Sequence, residues 1–478
     1  MLRTVATWMF AVFAAANAAA AAPAPAVQQE IAARRIAAYL AAIDSPAAAE
    51  LFIERDLTPE YRDSAPPGAI LNYFATQKRV AGGYTFESLR VTSPSRAEAL
   101  LRDQVYGARH RLTMDFEAEP ARRILEFDPG PAPAWAEPLP AVLDQAQTAA
   151  AIRQKIERGC AAEVFAGAAL VARRGEVLVE HACGLASRRY GVPNTIDTRF
   201  NLGSINKMFT AVAVMQLVEA GKLSLDDTID RFLDGSWLAP DVAGTITVRQ
   251  LLSHTSGLGS FVGAEWDQQS RRKFRELGDY KPLVRMERPA FPPGSSWSYS
   301  NTGPLLAGAI VERVSGQSYF EYVREHLYAP AGMTDTDCWA LDEPVPRLAM
   351  GYYPSGDGAW RENTFATLFR GSPAGGGYST VHDMLRFANA LVEGRLISTS
   401  SLRVLWTDHP PHEYGAGFTI EQTAAGPSYG HDGLMGGVSS RFHIYPKGGF
   451  IVVILSNQDF GAAGLDEALT EVIAQARP

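Results

Sequence analysis

Cysteine is scarce in this chain, which has 3 among 478 residues: Cys160, Cys183 and Cys338. Three cysteines cannot form the dense set of bridges that stabilises small secreted domains. A single Cys160–Cys183 bridge is one alternative, and three small buried thiols are the favoured one. The fold must therefore depend on a hydrophobic core, for which 46% hydrophobic residues supply ample material.

The chain also lacks a positive net charge and two catalytic sequence signatures. The 44 Lys and Arg residues face 52 Asp and Glu, the net charge is −8, and there is no long basic run. Nucleic-acid binding is therefore disfavoured. The sequence has no Gly-x-Ser-x-Gly elbow, which argues against a Ser-His-Asp α/β-hydrolase. It has no His, Cys and Asp group at metal-ligand spacing, so we expect no metal and no other cofactor.

The first 22 residues have the pattern of an export signal. Arg3 precedes an apolar run over residues 5–13, and small residues such as Ala16-Asn17-Ala18 offer cleavage sites. An uncleaved membrane anchor is the alternative, which the alanines and Asn17 disfavour. No cysteine lies near the cleavage region, so a lipoprotein is not indicated. We expect a periplasmic or secreted protein with no stable membrane span.

A proline-rich segment, residues 129–140 (PGPAPAWAEPLP), marks a domain boundary. Residues 27–128 show two predicted helices and then four predicted strands, which indicates a small α+β domain. In the order of its elements this domain resembles NTF2-like or cystatin-like modules.

Residues 141–478 have a different pattern. After a predicted helix at 142–158 come predicted strands at 167–173 and 176–182, and further strands follow at 414–421, 439–445 and 450–456. The chain between them is rich in helices and loops, and a last helix begins at Gly464. We expect an α+β fold in which the C-terminal strands complete a sheet beside a helical region, with a ligand cleft between them.

The stretch from Phe200 to Leu225 contains Ser204 and Lys207 at the start of an apolar helix. Residues three apart share a helix face, so the hydroxyl and the amine can meet. Apolar neighbours remove solvent from the lysine and lower its pKa, so that it can act as a base near neutral pH. The alternative is an ordinary helix start with a solvated lysine, which is a poor fit to a helix that is apolar nearly all round.

A second pattern is Tyr299-Ser300-Asn301, on a loop between Gly294 and Gly303. The Tyr299 hydroxyl could relay a proton between the nucleophile, the lysine and a leaving group. The Asn301 amide could hold Lys207 or a substrate carbonyl. Taken alone, the pair would indicate only a turn with a half-buried ring.

A third pattern is Gly430-His431-Asp432-Gly433, placed immediately before a predicted strand. Glycine lets the backbone approach a ligand closely, so backbone amides here could form an oxyanion hole. Strand alternation puts His431 and Gly433 on one side. A histidine in a glycine-rich turn is more often structural.

Together and in this order, the three patterns resemble the serine β-lactamase and penicillin-binding-protein superfamily, in its class C β-lactamase-like branch. The resemblance covers residues 141–478 and implies a β-lactamase/transpeptidase-like domain. The resemblance extends to sequence segments around and between the three patterns, such as LLSHTSGL (251–258), FPPGSSWSYSNTG (291–303), PAGGGYSTVHDMLRF (373–387) and VVILSN (452–457).

The resemblance implies a role for each site residue. Ser204 corresponds to the acylated nucleophile, Lys207 to its base partner, and Tyr299 with Asn301 to the Tyr-x-Asn pair. His431-Asp432-Gly433 corresponds to the strand motif that is Lys-Thr-Gly in β-lactamases. The oxyanion amides would be those of Ser204 and Leu434, so His431, Gly433 and Leu434 join Asn301 as substrate-binding residues.

The third motif departs from the β-lactamase pattern, because His431 replaces a charged lysine and Asp432 replaces a hydroxyl residue. His-x-Gly versions are similar to esterases and D-aminopeptidases. We therefore expect an exported serine hydrolase acting on a small ester, amide or peptide. A D-amino-acid-specific peptidase or β-lactamase is the alternative, and an inactive cell-wall peptide-binding protein is an alternative of another class.

Overall fold

The structure is a computed structural model that describes residues 26–117, 123–132, 136, 142–355, 359–408 and 412–477. The predicted export signal and most of the proline-rich segment lie outside these residues. The described residues form two compact units. One contains the described chain up to Val164, residues 423–425 and the chain from Gly464 onward; the other contains 165–422 and 426–463.

The first unit opens with four helices and an antiparallel sheet of four strands in the order β1-β2-β3-β4. The elements are α1 (Ala26–Asp44), α2 (Pro46–Arg55), α3 (Pro59–Ser64), α4 (Ala69–Ala81), β1 (Tyr84–Ser93), β2 (Arg96–Asp103), β3 (Arg109–Phe116) and β4 (Ile124–Pro131). The prediction of helices followed by strands is confirmed. The N-terminal unit also contains α5 (Gln145–Ala161), and α16 (Ala463–Gln475) ends the chain's regular structure.

Helices α2 and α3 are missing from the sequence prediction. Each begins with a side-chain cap and a proline in its first turn, Ser45 before Pro46 and Thr58 before Pro59. Proline suits the first helical position because its absent N–H would have no intrahelical partner there. The sequence therefore contained a start signal for both helices, although neither has a long apolar period.

The second unit combines a sheet with many short helices. Its strands are β5 (Gly167–Arg173), β6 (Glu176–Cys183), β7 (Leu185–Ser187), β8 (Val192–Pro193), β9 (Phe200–Asn201), β10 (Tyr352–Pro354), β11 (Trp360–Glu362), β12 (Tyr378–Ser379), β13 (Thr419–Thr423), β14 (Gly426–Met435), β15 (Val438–Tyr445) and β16 (Phe450–Ser456). Its α-helices are α6 (Asn206–Glu219), α7 (Pro240–Ala243), α8 (Val248–Leu252), α9 (Ala264–Gln268), α10 (Lys281–Val284), α11 (Thr302–Ser315), α12 (Tyr319–Val323), α13 (Ala329–Ala331), α14 (Val381–Val392) and α15 (Thr399–Leu405).

Short helical turns lie between these elements. The 3-10 turns are Gly203–Ile205, Ile229–Arg231, Arg271–Lys273, Leu277–Tyr280 and Asn363–Phe365, and Arg324–Tyr328 is one π-helical turn.

The main sheet has six strands in the order β13-β14-β15-β16-β5-β6. Strand β16, from the C-terminal part of the chain, pairs antiparallel with β5, the first strand of the second unit. The C-terminal strands therefore complete the sheet, as predicted. The β5–β6 turn has positive φ at Arg174 (53°) and Gly175 (86°), which a two-residue type I′ hairpin requires. Helix α6 is buried nearly all round, as its apolar sequence predicts.

Two strand predictions and one cysteine prediction are wrong. The strand predicted at 414–421 begins only at Thr419, because Gly415 to Phe418 form a tight turn. The third motif lies within β14, and not in a turn before a strand. The favoured expectation of three free thiols fails: Cys160 and Cys183 are disulfide-bonded, and Cys338 is a free buried thiol.

Candidate active site

Ser204 lies in the 3-10 turn that precedes α6, against strand β14. Gly203 has φ +55°, and a Cβ added to it would lie 2.8 Å from the Gly433 Cα and 3.0 Å from the Leu434 nitrogen. A Cβ on Gly433 would lie 1.9 Å from the Leu202 carbonyl oxygen. Glycine is therefore required on both sides, because only backbone fits between them. This contact brings the Leu434 amide nitrogen beside the Ser204 turn, as an oxyanion hole requires.

Lys207 lies one turn further along the same helical run, with its Nζ 3.0 Å from the Ser204 Oγ. The other two atoms within hydrogen-bond distance of Nζ are the Asn301 Oδ1 at 2.9 Å and the Ala374 carbonyl oxygen at 2.6 Å. The side chain is buried and all three partners are uncharged. Burial lowers the pKa of Lys207 well below its ordinary value.

An uncharged Lys207 amine fits this set of partners. Its two N–H groups can donate to the Asn301 and Ala374 oxygens, which leaves the nitrogen lone pair for the Ser204 hydroxyl to donate to. The predicted meeting of serine and lysine is therefore observed, in the geometry of a nucleophile and its base.

Tyr299 closes the other side of the Ser204 hydroxyl. Its side chain hydrogen-bonds with Ser204, and the centre of its ring lies 4.8 Å from the Lys207 Nζ. Burial raises the pKa of Tyr299, and the hydrogen bond with Ser204 only partly offsets this. Tyr299 therefore keeps its proton at neutral pH and can pass it on, as a relay requires.

The loop that holds Tyr299 and Asn301 is fixed through the residue between them. The Ser300 backbone N–H donates to the His254 Nδ1 at 3.2 Å, and the Ser300 hydroxyl donates to the Gly259 carbonyl at 2.8 Å. The Asn301 amide donates to the Ser260 Oγ at 3.0 Å, which turns its Oδ1 toward Lys207. Ser300 thus points away from the site while its neighbours point into it.

His431 is buried at 2% exposure, and both of its ring nitrogens have partners. Nδ1 lies 2.6 Å from the Asp432 carbonyl oxygen, and Nε2 lies 3.0 Å from the Tyr414 hydroxyl. Burial, followed by the nearby Lys207, lowers the pKa of His431 to about 3. His431 is therefore an uncharged group beside the site, unlike the lysine that the resemblance places there.

Asp432 forms a salt bridge on β14: its Oδ2 lies 3.2 Å from the Arg441 Nη1 on paired strand β15. Strand alternation places it on the face opposite His431. An Asp432 carboxylate that reached the cleft would repel an anionic substrate. The carboxylate is instead engaged with a cation on the neighbouring strand.

Among the described ranges, Glu421, Asp432 and His443 bring potential metal-ligand atoms within 4.8 Å of one another. Sequence spacing did not predict this group because its members come from three strands. Arg441 is already paired with Asp432 and supplies positive charge to the group. We therefore assign it as a charge network and place no metal there.

Two groups at the site were not predicted. The Ala374 carbonyl was missed because a backbone oxygen has no side-chain signature, although Gly375 and Gly376 mark a close backbone approach, and the Gly376 N–H donates to the Gly203 carbonyl at 3.0 Å. The sequence pattern predicts Tyr414 only as the start of a strand. Its signal is the sequence Tyr-Gly-Ala-Gly-Phe, in which two glycines indicate a turn seated closely on another element.

The antiparallel sheet, the helical region and a serine facing a buried lysine are the features of one class of serine hydrolase. The Beta-lactamase family matches residues 150–477, and the chain belongs to this family. Penicillin-binding protein 4 of Amycolatopsis lactamdurans is 29% identical over 329 residues, covering 65% of this chain and 85% of that protein. Esterase EstB of Burkholderia gladioli is 32% identical over 288 residues, covering 53% and 73%. The crystal structure of a penicillin-binding protein from Bacillus halodurans superposes with a TM-score of 0.61 at 32% identity, covering 66% of this chain and 96% of that one.

Proposed function

We propose that this β-lactamase-family serine hydrolase cleaves small uncharged esters or amides through an acyl-enzyme on Ser204. The observation that carries the proposal is the environment of Lys207. Its amine lies 3.0 Å from the Ser204 Oγ, is buried, and is surrounded by uncharged hydrogen-bond partners. A lysine held in this way is a base at neutral pH, and a serine beside it is a nucleophile.

Acylation begins when Lys207 takes the Ser204 proton while the Oγ attacks the substrate carbonyl carbon. The carbonyl π pair moves to oxygen, and the backbone amides of Ser204 and Leu434 stabilise the resulting oxyanion. When the tetrahedral intermediate collapses, the bond to the leaving group breaks. Tyr299 gives its proton to the departing alkoxide or amine and regains one from the Lys207 ammonium.

Deacylation runs the same transfers in reverse order. A water molecule enters on the side of the departed group, gives a proton through Tyr299 to Lys207, and attacks the acyl carbon. Ser204 then leaves with a proton from Lys207, which restores the starting state. Whether water or an amine is the second nucleophile depends on the substrate supplied.

Uncharged substrates are favoured because the third motif offers no free cation. His431 is neutral and Arg441 is paired with Asp432. A carboxylate from a penicillin or a peptide ending in D-alanine would have to be buried there without a counter-charge, which is costly. The similarity to an esterase supports this substrate class, whereas the similarity to penicillin-binding proteins supports the alternative of cell-wall-type substrates.

An inactive binding protein is disfavoured by the same geometry. Retaining Ser204, Lys207 and Tyr299 in mutual contact gives a binding protein no advantage, because a buried amine without a counter-charge lowers stability. A reactive-serine probe separates the two functions, since only an active nucleophile is labelled.

Intact-mass measurement after mixing with a panel of substrates tests the proposal. The panel comprises nitrophenyl esters, D-aminoacyl amides, peptidoglycan stem peptides and β-lactams. The wild-type protein should gain the acyl mass of at least one neutral ester or amide, and peptide mapping should place it on Ser204. Ser204→Ala should gain none and should melt at nearly the wild-type temperature. Full turnover by Ser204→Ala on any of these substrates would refute the assignment.

We also propose that the protein is exported. The charged start, apolar run and small residues of residues 1–22 support this, as does the Cys160 and Cys183 disulfide, since such bonds persist in oxidising compartments. In the described part of the chain, no helix is both long and apolar enough to span a membrane. N-terminal sequencing of protein recovered from the periplasm or medium should begin after the alanine-rich stretch; recovery of intact residues 1–22 from the cytoplasm would contradict export.

A further inference from the structure

Tyr414 is a buried side chain next to the site that the mechanism above does not use. Its hydroxyl lies 3.0 Å from the His431 Nε2, and its ring centre lies 4.5 Å from that of His254. Its ring also meets the His431 ring edge-on, with 5.7 Å between centres and 87° between planes. Tyr414 thus contacts a residue of the third motif and a residue that fixes the Tyr299 loop.

The segment that holds Tyr414 is seated rigidly on the base of the active site. A Cβ on Gly415 would lie 2.1 Å from the Leu405 carbonyl oxygen. Gly417, at φ +75°, would place a Cβ 2.9 Å from the Lys207 carbonyl oxygen and 2.6 Å from the Ala211 Cβ. The Gly417 N–H donates to the Leu252 carbonyl at 3.0 Å. Because two glycines allow these contacts, the position of Tyr414 is set by α6, α8 and α15 together.

The partners of His431 determine its tautomer. The Asp432 carbonyl oxygen can only accept, so the His431 Nδ1, 2.6 Å away, must carry the ring proton. Nε2 therefore has the lone pair, and the Tyr414 hydroxyl donates to it. A donor directed at the lone pair stabilises the neutral ring against the imidazolium.

We propose that Tyr414 is a positioning residue that holds His431 as the neutral Nδ1–H tautomer with its Nε2 already occupied, and so excludes anionic substrates from the site. This inference rests on the proposed function and deepens it by naming the residue that sets the substrate class. With both ring nitrogens engaged, His431 offers a substrate neither a charge nor a free N–H. The groups that bear on the His431 charge are Lys207, His254, Tyr299, Tyr414, Asp432, Arg441 and His443.

A comparison with Lys207 and Arg441 shows why the Tyr414 hydroxyl is important for keeping His431 uncharged. Lys207 and Arg441 disfavour a charge on His431 only when they are themselves charged, and Arg441 is shared with Asp432. The Tyr414 hydroxyl is different because it acts through one directed hydrogen bond. Replacing Tyr414 by Phe removes that hydrogen bond and leaves the ring that packs on His254.

Nitrogen-15 NMR of histidine-labelled wild-type protein tests the tautomer without any turnover. The His431 ring, assigned by its loss in His431→Asn, should show a protonated Nδ1 and an unprotonated Nε2 from pH 5 to pH 8. In Tyr414→Phe the midpoint of its titration should rise by about one pH unit or more, as expected for loss of one hydrogen bond to the neutral form. A wild-type His431 protonated on Nε2, or titrating near pH 6.5, would overturn the proposal.

A matched pair of nitrophenyl esters, one neutral and one with a terminal carboxylate, tests the effect on substrates. At pH 4.5 the ratio of kcat/KM for the neutral over the anionic ester should be about 5-fold or more lower in Tyr414→Phe than in the wild-type protein, because the raised titration midpoint leaves more of the His431 rings protonated and only a protonated imidazole pairs with the carboxylate. At pH 8 the ratio should stay near the wild-type value. Tyr429→Phe is the control: Tyr429 lies on strand β14, two residues before His431, with its ring stacked on Trp406, and its replacement should leave both ratios unchanged.

Parallel loss of activity on both esters at every pH would show a purely structural role and would refute the proposal. If the wild-type protein turns over neither ester, the proposed function fails, and the NMR measurement still decides the role of Tyr414.

Discussion

Two basic side chains with little solvent exposure, one in each unit of the molecule, have opposite electrostatic surroundings. The Lys207 amine in the second unit lies within hydrogen-bond distance of three uncharged groups, Ser204, Asn301 and Ala374, and burial lowers its pKa. His110 in the first unit has its Nε2 3.1 Å from the Asp103 Oδ2 and its Nδ1 2.5 Å from the Glu467 Oε2. Burial alone would lower the pKa of His110, but the charge of Glu467 and hydrogen bonds to both carboxylates raise it to about 10.

The difference shows how burial can serve chemistry or stability. A buried base with counter-charges holds its proton and becomes part of an ion network. A buried base without them gives the proton up and becomes reactive. Both side chains are largely removed from solvent, so exposure alone does not explain the opposite shifts of their pKa values, whereas their hydrogen-bond and charge partners do.

The largest effect is expected when Lys207 is given a carboxylate neighbour like those of His110, because the difference between the two side chains is then removed. Asn301→Asp would place a carboxylate about where the Asn301 Oδ1 lies, 2.9 Å from the Lys207 Nζ, and would stabilise the ammonium. Acylation at pH 7 should then fall by about 10² or more, as expected for loss of a positioned base. Stopped-flow acylation with a nitrophenyl ester measures this.

Asn301→Ala is the matched control for that change, because it removes the amide without adding a charge. It should lose less activity than Asn301→Asp and should keep the wild-type dependence of the rate on pH. Equal acylation rates for the two variants would show that charge on Lys207 does not control the nucleophile.

A smaller effect is expected from adding a charge at the third motif. His431→Lys supplies the cation that the resemblance finds in β-lactamases, so penicillin acylation should rise relative to ester turnover. The readout is the ratio of kcat/KM for one penicillin and one nitrophenyl ester, because a charge near Lys207 also changes the absolute rate on each substrate. The wild-type protein should prefer the ester. A wild-type preference for the penicillin would contradict the account of the uncharged third motif.

Much of this site could be predicted from local sequence, and what was missed depends on tertiary contacts. Ser204 and Lys207 are three residues apart, so helix geometry alone brings them together, at an observed 3.0 Å. The Arg174-Gly175 hairpin and most of the strands in both units also followed from local sequence patterns. Ala374 lies 167 positions from Lys207, and Tyr414 lies 17 positions from His431. Arg441, the partner of Asp432, lies 9 positions along the chain on the neighbouring strand. Such pairs are defined only by the folded sheet and loops.

The smallest expected effect concerns the counter-charges of His110. Because its pKa is raised above the unfolded value, the stability it adds is complete below about pH 6.5 and is lost as the pH rises through about 10. Glu467→Gln should therefore lower the melting temperature by about 2 °C or more at pH 6, and the loss should shrink toward pH 10. Turnover of a small ester should not change.

Glu471→Gln is the control for this variant, because it removes the 3.1 Å salt bridge to Arg109 and leaves the partners of His110 in place. Its effect on the melting temperature should be the same at pH 6 and pH 10. A pH-independent effect of Glu467→Gln would mean that His110 is not charged in the folded protein.

The pH dependence of Ser204 acylation in single-turnover experiments tests most directly whether Lys207 is an uncharged base. Stopped-flow rates with a neutral nitrophenyl ester should already be close to their maximum at pH 7 and should fall only on acidification, far below the ordinary lysine pKa of about 10.4. Lys207→Ala should be slower by about 10² or more and should lack this acid limb. A wild-type rate that climbs steadily from pH 6 to pH 10 would show that Lys207 is charged at neutral pH and would contradict the account.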